Sequence, residues 1–120
     1  MACRRVSREV RTMLMLLEPP PQYDHPYRGP VIEQRVSQFE LFMLCHGSAP
    51  ACSWVTKQHV CHIAIPFTER DPRAIALIRQ HEMAHCNGWP GDHPGAHWVE
   101  VKTGKTVPPP KYFHSSLTLF

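Results

Sequence analysis

Histidines recur at positions 81, 85, 93 and 97, and a glutamate sits directly after the first of them, in the run His81-Glu82-Met83-Ala84-His85. Residues four apart on a helix lie one turn above each other on the same face, so His81 and His85 can offer two imidazole nitrogens to one ion. Glu82 sits about 100° round the helix axis from His81. That is too far round for a natural third ligand, yet it is close enough to reach a water on the open side of a metal, where a general base belongs. Two imidazoles and one further N or O ligand leave a fourth position for water, and this is the arrangement of a catalytic zinc site. A third ligand is therefore required. His93 is the first candidate, because Gly88 can reverse the chain and Pro90, Gly91 and Pro94 favour a tight loop that returns it to the helix; His97 and Asp92 are the alternatives.

The helix that must carry this motif is the clearest element of the chain. Asp71 is a good N-cap, Pro72 suits the first helical position, and Ile75, Leu77, Ile78 and Met83 supply apolar contacts. Gly88 suits a left-handed terminal residue, and Trp89-Pro90-Gly91 cannot continue the helix, which is expected to span about Pro72 to Asn87. Upstream, Cys52 to Val55 and Val60 to Ile65 form two expected strands joined by polar Thr56-Lys57-Gln58-His59, a hairpin pattern. Val31 to Val36 reads as a first strand, Gln38 to Cys45 as either a second strand or a short helix, with the helix favoured, and His97 to Val101 as a last strand. Val6, Val10, Met13, Leu14 and Leu17 have helical spacing, and Pro19-Pro20-Pro21 would stop such a helix. The resulting expectation is an α+β domain, a small antiparallel sheet packed against the metal-binding helix. Its parts are an N-terminal helix and proline-rich linker over 1–29, the metal-binding domain over 30–107, and an irregular tail over 108–120.

At this point the run His81-Glu82-Met83-Ala84-His85-Cys86-Asn87-Gly88-Trp89-Pro90 resembles the zincin superfamily of metallopeptidases, in particular small bacterial proteins of zincin type. The resemblance covers roughly Val60 to His97. It implies a helix packed on a small sheet, zinc, and hydrolysis of peptide bonds in a peptide or protein substrate. In the metzincin branch the third ligand would fall at Gly91, whereas His93 comes two residues later and no methionine follows to make a Met-turn. If the comparison holds, substrate would pair with the edge strand nearest the helix, a part assigned to Val60 to Ile65. The competing reading is a zinc-binding or protein-interaction module without catalysis.

Composition narrows the remaining classes. A chain of 120 residues, 42% hydrophobic and 19% charged, fits one globular core. Nine histidines are about three times the ordinary number for that length. His25, His59 and His114 have no partners in sequence and are read as ordinary surface or core residues. The net charge of +3 derives partly from Arg4, Arg5, Arg8 and Arg11. No aromatic platform or reading helix accompanies them, so nucleic acid is not an expected partner. No run approaches the roughly 20 apolar residues of a membrane span. Met13 to Leu17 is too short for the apolar region of a signal peptide, which makes the cytoplasm the default expectation and export the alternative.

The cysteines at 3, 45, 52, 61 and 86 lack zinc-ribbon spacing. In an oxidising compartment either Cys52 with Cys61 or Cys45 with Cys52 would pair; in a reducing one they would be small buried apolar residues. A second metal site from Cys45, His46, Cys61 and His62 is a further alternative. Cys86 is read as core.

Overall fold

Prolines and glycines cut the sequence into short elements that become stable only by packing on one another. In the computed structural model, which describes residues 15–109, these are β1 (Met15–Glu18), β2 (Val31–Val36), α1 (Gln38–Cys45), β3 (Cys52–Val55), β4 (Cys61–Pro66), α2 (Pro72–Cys86), β5 (His97–Glu100) and β6 (Thr106–Val107). The fold class is α+β. It contains two sheets rather than the single one expected: an antiparallel sheet in the order β1-β5-β6 and a mixed sheet in the order β2-β4-β3.

Helix α2 starts as its sequence dictates. Asp71 Oδ1 accepts the Arg73 N–H at 2.9 Å, and Pro72 occupies the first turn, where a missing N–H is harmless. The helix packs against β3 and β4 on one side and β1 on another. Cys61, Ile63 and Ile65, alternate residues of β4, meet Ala74 and Ile78 of α2 together with Leu16 and Val101. Ala64 faces the other way, into a cluster with Val36 and Leu41 that seats α1. Strand β4 is therefore covered on both faces, which accounts for its nearly unbroken apolar composition.

Three expectations are corrected here. The sheet containing Val60 to Ile65 is mixed, because β2 runs parallel to β4 while β3 runs antiparallel. The two strands do form the expected hairpin, but β4 lies in the middle of the sheet and is not an edge strand; among the described residues β2 and β3 are the edges. The helix expected over Val6 to Leu17 lies largely outside the described residues, and its described end is strand β1, with Leu16 opposite Val99 and Leu17 opposite Trp98. A short apolar run has no intrinsic choice between helix and strand, and here the partner β5 makes it. Leu16 and Leu17 are buried, so β1 is part of the packed body. Of the expected irregular tail, residues 110–120 lie outside the described residues.

Two disulfides pin the elements together. Cys45–Cys52 ties the end of α1 to β3, and Cys61–Cys86 ties β4 to the end of α2. The first pairing was one of the two expected; the Cys52–Cys61 alternative is not made. Cys86, read as a core residue, is bonded instead, because the end of α2 brings it over β4. With both thiols of the imagined Cys45, His46, Cys61 and His62 site in disulfides, that metal site is excluded.

Candidate metal centre

The end of α2 is built by a specific local device. Gly88 takes the left-handed region at φ 103°, and the N–H groups of Gly88 and Trp89 bond back to the carbonyls of His85 and Ala84, each at 3.0 Å. This is the paired bonding of a Schellman motif, in which glycine avoids the steric penalty of a Cβ. Trp89 is thereby turned under the helix, 2% exposed, and its Nε1–H donates to the Pro94 carbonyl at 2.9 Å. The chain then makes a turn in which the His93 N–H bonds to the Pro90 carbonyl at 2.9 Å. His93 itself has φ 59°, an uncommon backbone for a residue with a side chain and one that clusters at functional sites.

The consequence is a convergence of three imidazoles. His85 Nε2 lies 3.2 Å from His81 Nε2 and 3.1 Å from His93 Nε2. Three nitrogens each about 2.05 Å from one tetrahedral ion are separated by about 3.3 Å. Both separations from His85 match that spacing, all three ligand atoms lie within 4.8 Å of one another, and His81, His85 and His93 could hold a metal ion. Second contacts set their orientation. Nδ1 of His81 is 2.8 Å from the Leu17 carbonyl, and Nδ1 of His85 is 2.8 Å from the Trp89 carbonyl. A carbonyl only accepts, so each Nδ1 must carry the hydrogen and each Nε2 keeps its lone pair for the centre. The Trp89 ring stacks on His85 at a centroid distance of 4.9 Å and meets His93 edge-on at 4.9 Å, forming an apolar floor.

Neither alternative third ligand belongs to the group of converging nitrogens. His97, on β5, bonds through Nε2 to Glu18 Oε1 at 2.6 Å, and it serves the contact between β1 and β5. Asp92 lines a cleft of about 530 Å³ together with Cys45, Cys52, Ser53, Glu82, His85 and Gly91.

Comparison with protein-family models, with curated proteins and with solved structures returns no match.

Glu82 is 1% exposed. Burial pushes its carboxyl up to about 8, against the opposing pull of the hydrogen bond from Ser53. Ser53 Oγ donates to Glu82 Oε1 at 2.7 Å, while Oε2 has no hydrogen-bond partner among the described residues. A buried carboxyl with one free oxygen, lining a cleft beside three converging imidazoles, is equipped to accept a proton. Sequence reasoning missed three contributors: the Leu17 carbonyl, the Trp89 carbonyl and Ser53. Two are backbone groups that no residue type advertises, and Ser53 comes from a strand 29 residues before Glu82 with no motif to mark it.

Proposed function

We propose that this chain is a zinc-dependent hydrolase of amide bonds, acting on peptides or proteins, with His81, His85 and His93 as the metal ligands and Glu82 as the general base. The observation that carries this reading is the convergence of three Nε2 atoms at ligand spacing beside a buried carboxyl that opens on a cleft. Zinc is favoured because an all-imidazole set of three suits a tetrahedral site with one open position, and the two-histidine, one-carboxylate set of non-haem iron is not what converges here.

Bound zinc would supply Lewis acidity to activate a water, and its charge would favour the ionised form of Glu82. Glu82 would take the proton of the attacking water at Oε2 and hand it to the departing nitrogen as the C–N bond breaks. The cleft admits the substrate, and Cys52 and Ser53 of β3 line it. Main-chain pairing with an extended peptide falls to β3, the outer strand of the mixed sheet that lines the cleft. The two disulfides favour an oxidising compartment, which supports export over the cytoplasmic default. No helix of the described residues is long and apolar enough to cross a membrane.

The test compares purified wild-type protein with Glu82→Gln. Both are expected to bind about one zinc per chain, while hydrolysis of fluorescein-labelled casein falls by roughly 100-fold or more in the variant, the usual worth of a general base. Zinc-loaded wild-type protein that leaves casein and a broad peptide mixture intact would instead support the binding-module reading.

A further inference from the structure

The buried carboxyl of Glu82 has two oxygens with different surroundings, and the difference traces to one side chain. Ser53 sits on β3, one residue beyond the Cys45–Cys52 disulfide that anchors this strand to α1. Its hydroxyl lies 2.7 Å from Glu82 Oε1 and 3.1 Å from the Glu82 carbonyl oxygen. A hydroxyl has one hydrogen to donate, and between these acceptors the closer carboxylate oxygen is the stronger partner. Oε2 is equally buried and has no hydrogen-bond partner among the described residues. Glutamate has three side-chain torsions, and a carboxyl left unrestrained beside a cleft would sample several of them.

We propose that Ser53 is a positioning residue for the hydrolytic reaction: it binds Oε1, fixes the carboxyl plane of Glu82 and leaves Oε2 as the oxygen that receives and returns the proton. This rests on the hydrolase reading of the site. It gives β3 two tasks on one strand, since Ser53 also lines the cleft that would seat the substrate. The strand that aligns the scissile bond thus also sets the base, so any shift of β3 moves both together. A displacement of about 1 Å in such a constellation is enough to cost on the order of 100-fold in rate.

Three variants test this: Ser53→Ala, which removes the hydroxyl; Ser53→Thr, which keeps it on a residue suited to a strand; and Glu82→Leu, which removes the acceptor. The substrate is a fluorescence-quenched peptide spanning a casein bond that wild-type protein cleaves. Ser53→Ala is expected to retain zinc affinity within about threefold and KM within a few-fold, because no ligand is touched, while kcat falls about 10- to 100-fold. Ser53→Thr is expected to restore most of kcat. A second measurement does not depend on turnover. In urea unfolding of the zinc-free protein, the double-mutant cycle between Ser53→Ala and Glu82→Leu, which removes the acceptor, is expected to be non-additive by about tenfold in the unfolding equilibrium constant. Additive effects in that cycle, or an unchanged kcat in Ser53→Ala, overturn the role of Ser53. A wild-type protein that binds zinc and cleaves nothing overturns the hydrolase reading, and the folding cycle still decides whether Ser53 holds Glu82.

Discussion

His93 completes the imidazole triad because a left-handed glycine and a left-handed histidine bend nine residues of chain, from His85 to His93, into a closed loop. Each ligand is then expected to be indispensable. Changing His81, His85 or His93 to Ala leaves two imidazoles, and zinc affinity measured against a competing chelator dye should fall by at least about 100-fold. His97→Ala and Asp92→Ala should stay within about threefold of wild type, since one residue is engaged with Glu18 and the other faces the cleft. A tight site in His93→Ala, or loss of zinc in His97→Ala, would show that the wrong loop residue has been assigned. The two helical histidines were legible from spacing alone, because four residues make one turn whatever surrounds them. His93 was legible from glycine and proline chemistry, which forces a reversal but leaves its depth open. The Leu17 carbonyl that orients His81 was not legible, since any residue could supply it.

At the scale of elements, α2 is held at its C-terminal end and at its middle by contacts remote in sequence. Cys86 bonds to Cys61 on β4, and Arg79 reaches Glu33 on β2 with two hydrogen bonds of 2.5 and 2.8 Å. The disulfide closes a loop with a sequence separation of 25, so the paired change Cys61→Ala with Cys86→Ala should cost about 3 kcal/mol in urea unfolding. The Cys45–Cys52 loop, with a separation of 7, should cost less, about 2 kcal/mol; the reverse order would contradict the chain-entropy account. The Arg79 hydrogen bond holds the Glu33 carboxyl below its usual value of 4.5. A depressed carboxyl stabilises the folded state above that usual value and loses the contribution as pH falls through its folded value. Both side chains are partly exposed, 47% for Arg79 and 27% for Glu33, so the pair is worth no more than about 1 kcal/mol. Glu33→Gln should flatten the fall in stability between neutral pH and the region below 4.5, and an unchanged slope would remove the pair from the acid response. Both helices and four of the strands lay near their expected positions because caps, prolines and apolar runs are local signals. Strand β1 did not, because its identity depends on β5, some 80 residues away, and the central place of β4 depends on a parallel partner that no turn announces.

Across the whole molecule, α2 packs against both sheets, and the candidate metal ligands lie at the end where it meets the antiparallel one. Through the hydrogen bond from His81 to the Leu17 carbonyl, an ion held by the triad would join three parts that otherwise pack by small clusters: the helix, the loop bearing His93, and β1. Leu17, Ala84 and Trp89 are the buried members of the cluster beneath it, a small core by comparison with the one between α2 and β4. Metal binding should therefore stabilise the molecule, and should do so unevenly. With free zinc at 1,000 times its dissociation constant, linkage gives about 4 kcal/mol, a rise in Tm of about 10–20 °C for a domain of this size. Addition of a chelator should reverse it, and His81→Ala should show no rise at all. Amide exchange supplies the sharper measure, because the gain should concentrate in residues 88–96 and in β1, with β2 and α1 slowing only as far as global unfolding is suppressed. Equal Tm values with zinc and with chelator would deny the site any hold on the fold. Protection confined to β2 and α1 would place the ion elsewhere, while protection that follows the path from His93 through α2 to Leu17 would tie the metal to the antiparallel sheet through the contacts described above.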